Sequence, residues 1–221
     1  MPKSDRKFDL IAFDWDGTLY DSTAIITRSI QRAVVDVGGA LPTQQAASYV
    51  IGLGLRDALA YAAPDVPQEK YPELARQYHF HYTSQQRELG LFEGVLPMLA
   101  ELRARNHYLT VATGKSRRGL DDVLRDEKLK GVFDGSRTAD ETASKPHPMM
   151  LNQLMQKFGI EPKRTLMIGD TTHDLEMASN AGCARLGVSY GAHARSNFKA
   201  HKPIFIADSV HGLHDWLLKH A

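Results

Sequence analysis

The chain has 221 residues with 27 basic and 26 acidic side chains, a net charge of +1, and 43% apolar against 24% charged residues. This mixed, near-neutral balance argues against a nucleic-acid or membrane surface and suits a globular protein with a real core, either one domain or one domain with a sizeable insertion. The single cysteine, Cys183, excludes an internal disulfide framework. No run of about 18 apolar residues is present to span a membrane. The N-terminal "MPKSDRKFDLIAF", broken by Asp9, does not read as a signal peptide, so the cytoplasm is the default location.

In chain order, residues 8–13 form an apolar, β-branched run that reads as a buried strand, and it ends abruptly in "DWDGT". Residues 22 to about 90 contain no convincing strand and read as helices over 22–37, 56–62 and 68–88. "GLFEGVL" at 90–96 leads into a helix over 94–106. Beyond it the rhythm is regular: strands at 108–112, 131–134, 165–168, 184–188 and 204–206, with helices over 116–128, 148–158 and 174–181 between the earlier ones. Strands alternating with helices of this length indicate an α/β fold with a parallel sheet covered on both faces, and near-continuous apolar strands agree. A crossover between parallel strands needs only about a dozen residues. Residues 22–90 are therefore expected to form an inserted helical subdomain, with 1–21 and 91–221 building a Rossmann-like core. The competing reading is one continuous, larger α-rich fold.

Two aspartates, Asp14 and Asp16, stand one residue apart at the first strand tip. Like charges this close disfavour each other's ionisation unless a cation lies between them. Asp and Gly are also ordinary turn residues, so this stretch alone decides nothing. The other strand tips do. The second strand runs into Thr113 and Gly114, the fourth into Asp170 with Asp174 four residues on, and "ASKPHP" places Lys145 just ahead of the preceding helix. In an open parallel sheet, ligands bind at the carboxyl ends of the strands, at the switch point of strand order. Carboxylates without a cysteine or a histidine pair suit a hard cation such as Mg²⁺, which would let Asp14 stay ionised. A Thr hydroxyl, a Gly N–H and a lysine can hold phosphate oxygens. Together these residues describe a phosphoryl-transfer site with a carboxylate nucleophile.

"DWDGT", "ATG", "SKPHP" and "GDTTHD", in that order, resemble the four motifs of the haloacid dehalogenase-like hydrolase superfamily, which consists mainly of phosphatases. The helical insertion after the first motif is similar to that family's small cap. "FDWDGTLYDS", "LFEGVLPML" and "GVSYG" resemble more narrowly its phosphoglycolate phosphatase-like group. Trp15 departs from the aliphatic residue usual there and leaves both carboxylates in place. The resemblance implies that Asp14 attacks phosphorus and becomes an aspartyl phosphate, while Asp16 protonates the leaving oxygen and then takes a proton from water. It implies Mg²⁺ held by Asp14, the Asp16 carbonyl and Asp170, with Asp174 supporting that shell or Lys145. Thr113, Gly114 and Lys145 are expected to hold the phosphoryl group. Asp16 argues against a dehalogenase or phosphonatase, which lack an aspartate there.

Four further residues carry weaker expectations. His173 and His147 read as polar residues facing solvent, and Cys183 as a small core residue. Arg56, in "GLGLR" of the insertion, is expected either to meet the substrate or to be a plain surface arginine. The leading function is a Mg²⁺-dependent phosphatase of a small phosphorylated metabolite, with phosphoglycolate as the favoured guess. The alternatives are a sugar phosphomutase with the same site and a non-catalytic module resembling a response-regulator receiver.

Overall fold

The computed structural model describes residues 6–85 and 89–221. Six strands form one sheet: β1 (Leu10–Phe13), β2 (Tyr108–Thr113), β3 (Gly135–Thr138), β4 (Thr165–Gly169), β5 (Ala184–Val188) and β6 (Phe205–Ala207). Their order is β3-β2-β1-β4-β5-β6, and every neighbouring pair is parallel. This is the Rossmann-like arrangement, with the strand order reversing between β1 and β4. Those two central strands are buried throughout, as expected where helices cover both faces.

Apolar layers lie on either side of the sheet. One gathers Phe13, Leu99, Val111, Ile168 and Leu213, and the other Leu10, Leu151, Met167 and Met177. They bury the inner faces of α5 (Val95–Ala104), α6 (Arg117–Leu124), α7 (Met149–Phe158), α8 (Thr172–Asn180) and α10 (Val210–His220). Helix α7 stops at Gly159, whose φ of 66° supplies the left-handed turn that ends many helices. Cys183 belongs to the second layer, as its sequence context predicts.

Between β1 and α5 lie α1 (Thr23–Asp36), α2 (Gln44–Tyr49), α3 (Leu55–Ala62) and α4 (Tyr71–Gln85). Ile26, Ile30, Val34, Ala47, Leu59 and Leu74 pack into a core of their own. Two expectations need correction here. The helix expected over 68–88 opens as a 3₁₀ turn at Gln68–Lys70 before α4, and its last residues, 86–88, lie outside the described ones. Helix α2 is short and polar and has no periodic signature, so it was not foreseen; Thr43 caps it by accepting from the Ala46 N–H.

The third strand also sits four residues later than its apolar run. Val132 and Phe133 pack against the core, whereas the sheet hydrogen bonds are made by the more polar Gly135–Thr138. As an edge strand with one neighbour, β3 does not need the apolar density that marks a central strand. Neither α10 nor the short α9 (Arg195–Phe198) was anticipated.

Candidate active site

Asp14 and Asp16 leave the tip of β1, and Asp170 leaves the tip of β4, directly across the switch point. Asp174 is fixed by its own helix: Thr171 and Asp174 form a reciprocal cap at the start of α8, with Asp174 Oδ2 accepting from the Thr171 N–H at 3.1 Å and from its hydroxyl at 2.7 Å. Lys145, 2% exposed, reaches in from the loop before α7. Its Nζ lies 2.5 Å from Asp14 Oδ1 and 2.6 Å from Asp174 Oδ1. Asp170 Oδ1 accepts from the Thr18 hydroxyl at 3.1 Å and Oδ2 from the Ala192 N–H at 2.7 Å. Gly17 makes room for this carboxylate. Its φ is +86°, and a Cβ there would lie 2.1 Å from Asp170 Oδ2.

Facing oxygens of Asp14, Asp170 and Asp174 all lie within 4.8 Å of one another. Burial pushes the Asp14 carboxyl up to about 7 against the pull of Lys145, with a further push from Asp174 and Asp16. Burial, then Asp14 and Asp174, likewise hold Asp170 well above the usual carboxylate range. Burial alone would depress the Lys145 ammonium, but Asp14 and Asp174 outweigh it and raise it. Three buried carboxyls thus face one buried ammonium, and all three can ionise together only beside a further cation. Asp14 Oδ2 is moreover buried without a hydrogen-bond donor among the described residues. An all-oxygen set with an unpartnered carboxylate oxygen fits a hard divalent cation.

Asp16 is held apart from this trio. Its Oδ1 accepts from the Ser22 hydroxyl at 2.7 Å and from Lys115 Nζ at 3.0 Å, and the same Nζ lies 3.1 Å from the Tyr82 hydroxyl of α4. Burial would lower the Lys115 ammonium, but Asp16, Tyr82 and Tyr78 outweigh it and hold it above the usual lysine range. The two aspartates of "DWDGT" therefore occupy different environments, one buried with Lys145 and the other aimed at a cleft.

Thr113 ends β2 fully buried, and its hydroxyl accepts from the Lys115 N–H at 3.2 Å, which leaves its own proton free to donate. Gly114 lies directly beneath the insertion: a Cβ there would meet the carbonyl oxygens of Leu53 and Gly52 at 2.4 and 2.6 Å. The insertion is pinned here by further bonds. The Gly54 N–H donates to the Ser144 hydroxyl, and the Tyr49 carbonyl accepts from Nε2 of His173 at 2.8 Å and of His193 at 3.0 Å. His193 Nδ1 accepts from the Thr172 N–H, which fixes the neutral Nε2–H tautomer. A cavity of about 460 Å³ opens from Asp16 and Gly114 between the insertion and α6.

Several expectations change. His173 is not a solvent-facing residue; it is 5% exposed and holds the insertion through Tyr49. His147 is exposed, as read, and accepts from the Met149 N–H at the start of α7. Arg56 is exposed on α3 and stands outside the cavity lining, to which Leu55 and Ala58 contribute instead. Lys115 and Ser22 were missed, although one follows "ATG" and the other closes "LYDS". Tyr82 and His193 carry no local signal.

Residues 11–188, which run from the second residue of β1 to the last of β5, match the family described as haloacid dehalogenase-like hydrolase. The chain belongs to that family. Among curated relatives it is 36% identical to a probable phosphatase IndB of Dickeya dadantii, over 90% of this chain and 89% of that one. It is 32% identical to a phosphoglycolate phosphatase of Vibrio vulnificus, over 96% and 97%. The crystal structure of a predicted phosphoglycolate phosphatase from Haemophilus somnus superposes with a TM-score of 0.82 at 27% identity, covering 96% of this chain and 99% of that one.

Proposed function

We propose that this hydrolase is a Mg²⁺-dependent phosphatase that cleaves a small phosphorylated metabolite through an aspartyl phosphate on Asp14. The observation that carries this reading is the buried, unpartnered Asp14 Oδ2 at the switch point, beside Lys145 and facing Asp170 and Asp174. Asp14 attacks phosphorus as the ester P–O bond breaks, and Asp16 passes its proton to the departing alcohol oxygen. Asp16 then takes a proton from water, whose oxygen attacks the acyl phosphate, releasing inorganic phosphate and restoring the Asp14 carboxylate. The Thr113 hydroxyl, the Gly114 N–H and the Lys145 ammonium hold the phosphoryl oxygens. Mg²⁺, held by Asp14, the Asp16 carbonyl and Asp170 with Asp174 behind them, would offset the carboxylate charge and supply positive charge to the transferring group.

Residues 22–90 act as a cap in this reading, with the loop at 50–54 closing over Gly114. A cytoplasmic location agrees with the composition, and no described helix is long and apolar enough to cross a membrane. Phosphoglycolate, the substrate in the names of several relatives, is the reference compound. Phosphate release from an aryl phosphate tests the whole reading: excess chelator is expected to abolish it and Mg²⁺ to restore it. Undiminished release in excess chelator would contradict the metal role, and an isomerised sugar phosphate without phosphate release would indicate a mutase.

A further inference from the structure

The cavity beginning at Asp16 is far larger than a two-carbon acid requires. At about 460 Å³ it lies within the range of roughly 300–1,000 Å³ typical of pockets that enclose drug-sized ligands. Its lining is also sorted by depth. The floor and walls include the buried side chains of Ile26, Ile30, Ala58 and Val123, with the ring of Tyr82 stacked 6.0 Å from that of Tyr78. Asp16 and Lys115, bonded to each other, make the polar inner end, whereas His79, Thr83, Ser116, Arg118 and Asp122 are exposed and therefore belong to the rim.

This sorting bears on the leaving alcohol. A sugar would set several hydroxyls against aliphatic walls that offer no partner, and each unpaired hydroxyl is costly. A glycolate group would reach few of these walls. An apolar or aromatic body would cover them, and its outer end would meet the polar rim.

Resting on the phosphatase reading above, we propose that the substrate is a phosphate monoester of a bulky alcohol with an apolar or aromatic body, seated between α1, α3, α4 and α6. Its phosphoryl group is delivered to Asp14 and its ester oxygen to Asp16.

The test compares kcat/KM of the wild-type, Mg²⁺-supplied protein on ethyl phosphate, phosphoglycolate and 2-phenylethyl phosphate. These are all alkyl esters, so leaving-group chemistry differs little. The phenylethyl ester is expected to be favoured by about tenfold or more, the usual worth of filling a hydrophobic pocket. Ala58→Trp, which fills the cavity, should bring the ratio of phenylethyl to ethyl ester back toward one; this ratio does not depend on how much of the variant folds. Equal or better turnover of phosphoglycolate would overturn the inference and leave the phosphatase reading intact. Release from none of the three esters would overturn both.

Discussion

Lys115 Nζ lies 3.0 Å from Asp16 Oδ1 at the inner end of the cavity, and the same ammonium touches the Tyr82 hydroxyl of the insertion. Together with Ser22, this lysine fixes the Asp16 carboxyl, which in the proposed mechanism protonates the departing oxygen. General acid–base help contributes about 10² to 10⁴ in rate. Asp16→Ala is therefore expected to lose that much on an alkyl phosphate and much less on an activated aryl phosphate, whose oxygen leaves without a proton. Lys115→Met should show the same asymmetry in weaker form. Equal losses on both ester types would remove Asp16 from the acid's role.

Gly114 supports the insertion with its bare Cα. In Gly114→Ala the new methyl would press on the carbonyls of Gly52 and Leu53. Backbone cannot give way as a flexible side chain does, so the loop must lift. The variant is expected to raise KM and lower kcat while its thermal unfolding shifts little, because the sheet below is untouched. Steady-state kinetics beside a melting curve check this, and wild-type kinetics would contradict it.

His193 fastens the same loop from the other side, stacking on the Tyr49 ring at 5.3 Å while donating to the Tyr49 carbonyl. Without this imidazole the Tyr49 carbonyl keeps its bond from His173, but the Thr172 N–H loses its acceptor, and a buried donor left unsatisfied costs about 1–3 kcal/mol. His193→Ala should lose stability of that order in denaturant unfolding. An unchanged midpoint would show that the contact contributes nothing.

Much of this site was legible because its chemistry stands at strand ends. Asp14, Asp16, Thr113, Asp170 and Asp174 each follow or end an apolar run, and the parallel sheet brings those ends together. Lys145 was found through its neighbouring prolines. What escaped depends on the packing of the insertion against the core. Tyr82 meets Lys115 across 33 positions of chain, and His193 finds Tyr49 across 144, so neither spacing could mark them. His173 was misread for the same reason: within "GDTTHD" nothing shows that another unit will cover it. Strand β3 was misplaced because apolar density marks burial, and at a sheet edge burial and pairing separate.

Far from the site, Asp9 is gripped by Arg164, whose Nη2 donates to Oδ1 at 2.7 Å and whose Nε donates to Oδ2, with Arg6 3.3 Å away. The Arg164 hydrogen bonds hold the Asp9 carboxyl below the usual carboxylate value, outweighing partial burial. A carboxylate with a lowered folded-state pKa binds fewer protons folded than unfolded. Its stabilisation is thus complete above about pH 4 and disappears as pH falls through the folded value. Asp9→Asn should cost about 1–2 kcal/mol at neutral pH, allowing for solvent screening, and nothing in strong acid. Urea unfolding of both proteins across that range checks the sign; a difference that grew toward acid would contradict it.

The covalent step is the centre of this reading, and acid quenching early in turnover observes it directly. With a phosphoryl-labelled ester and Mg²⁺, peptide mapping of the quenched wild-type protein is expected to find the label on the peptide carrying Asp14, released by hydroxylamine as an acyl phosphate should be. Asp14→Asn should be folded, unlabelled and inactive. Label on another residue, or an Asp14→Asn protein that turns over at most of the wild-type rate, would contradict Asp14 as the nucleophile.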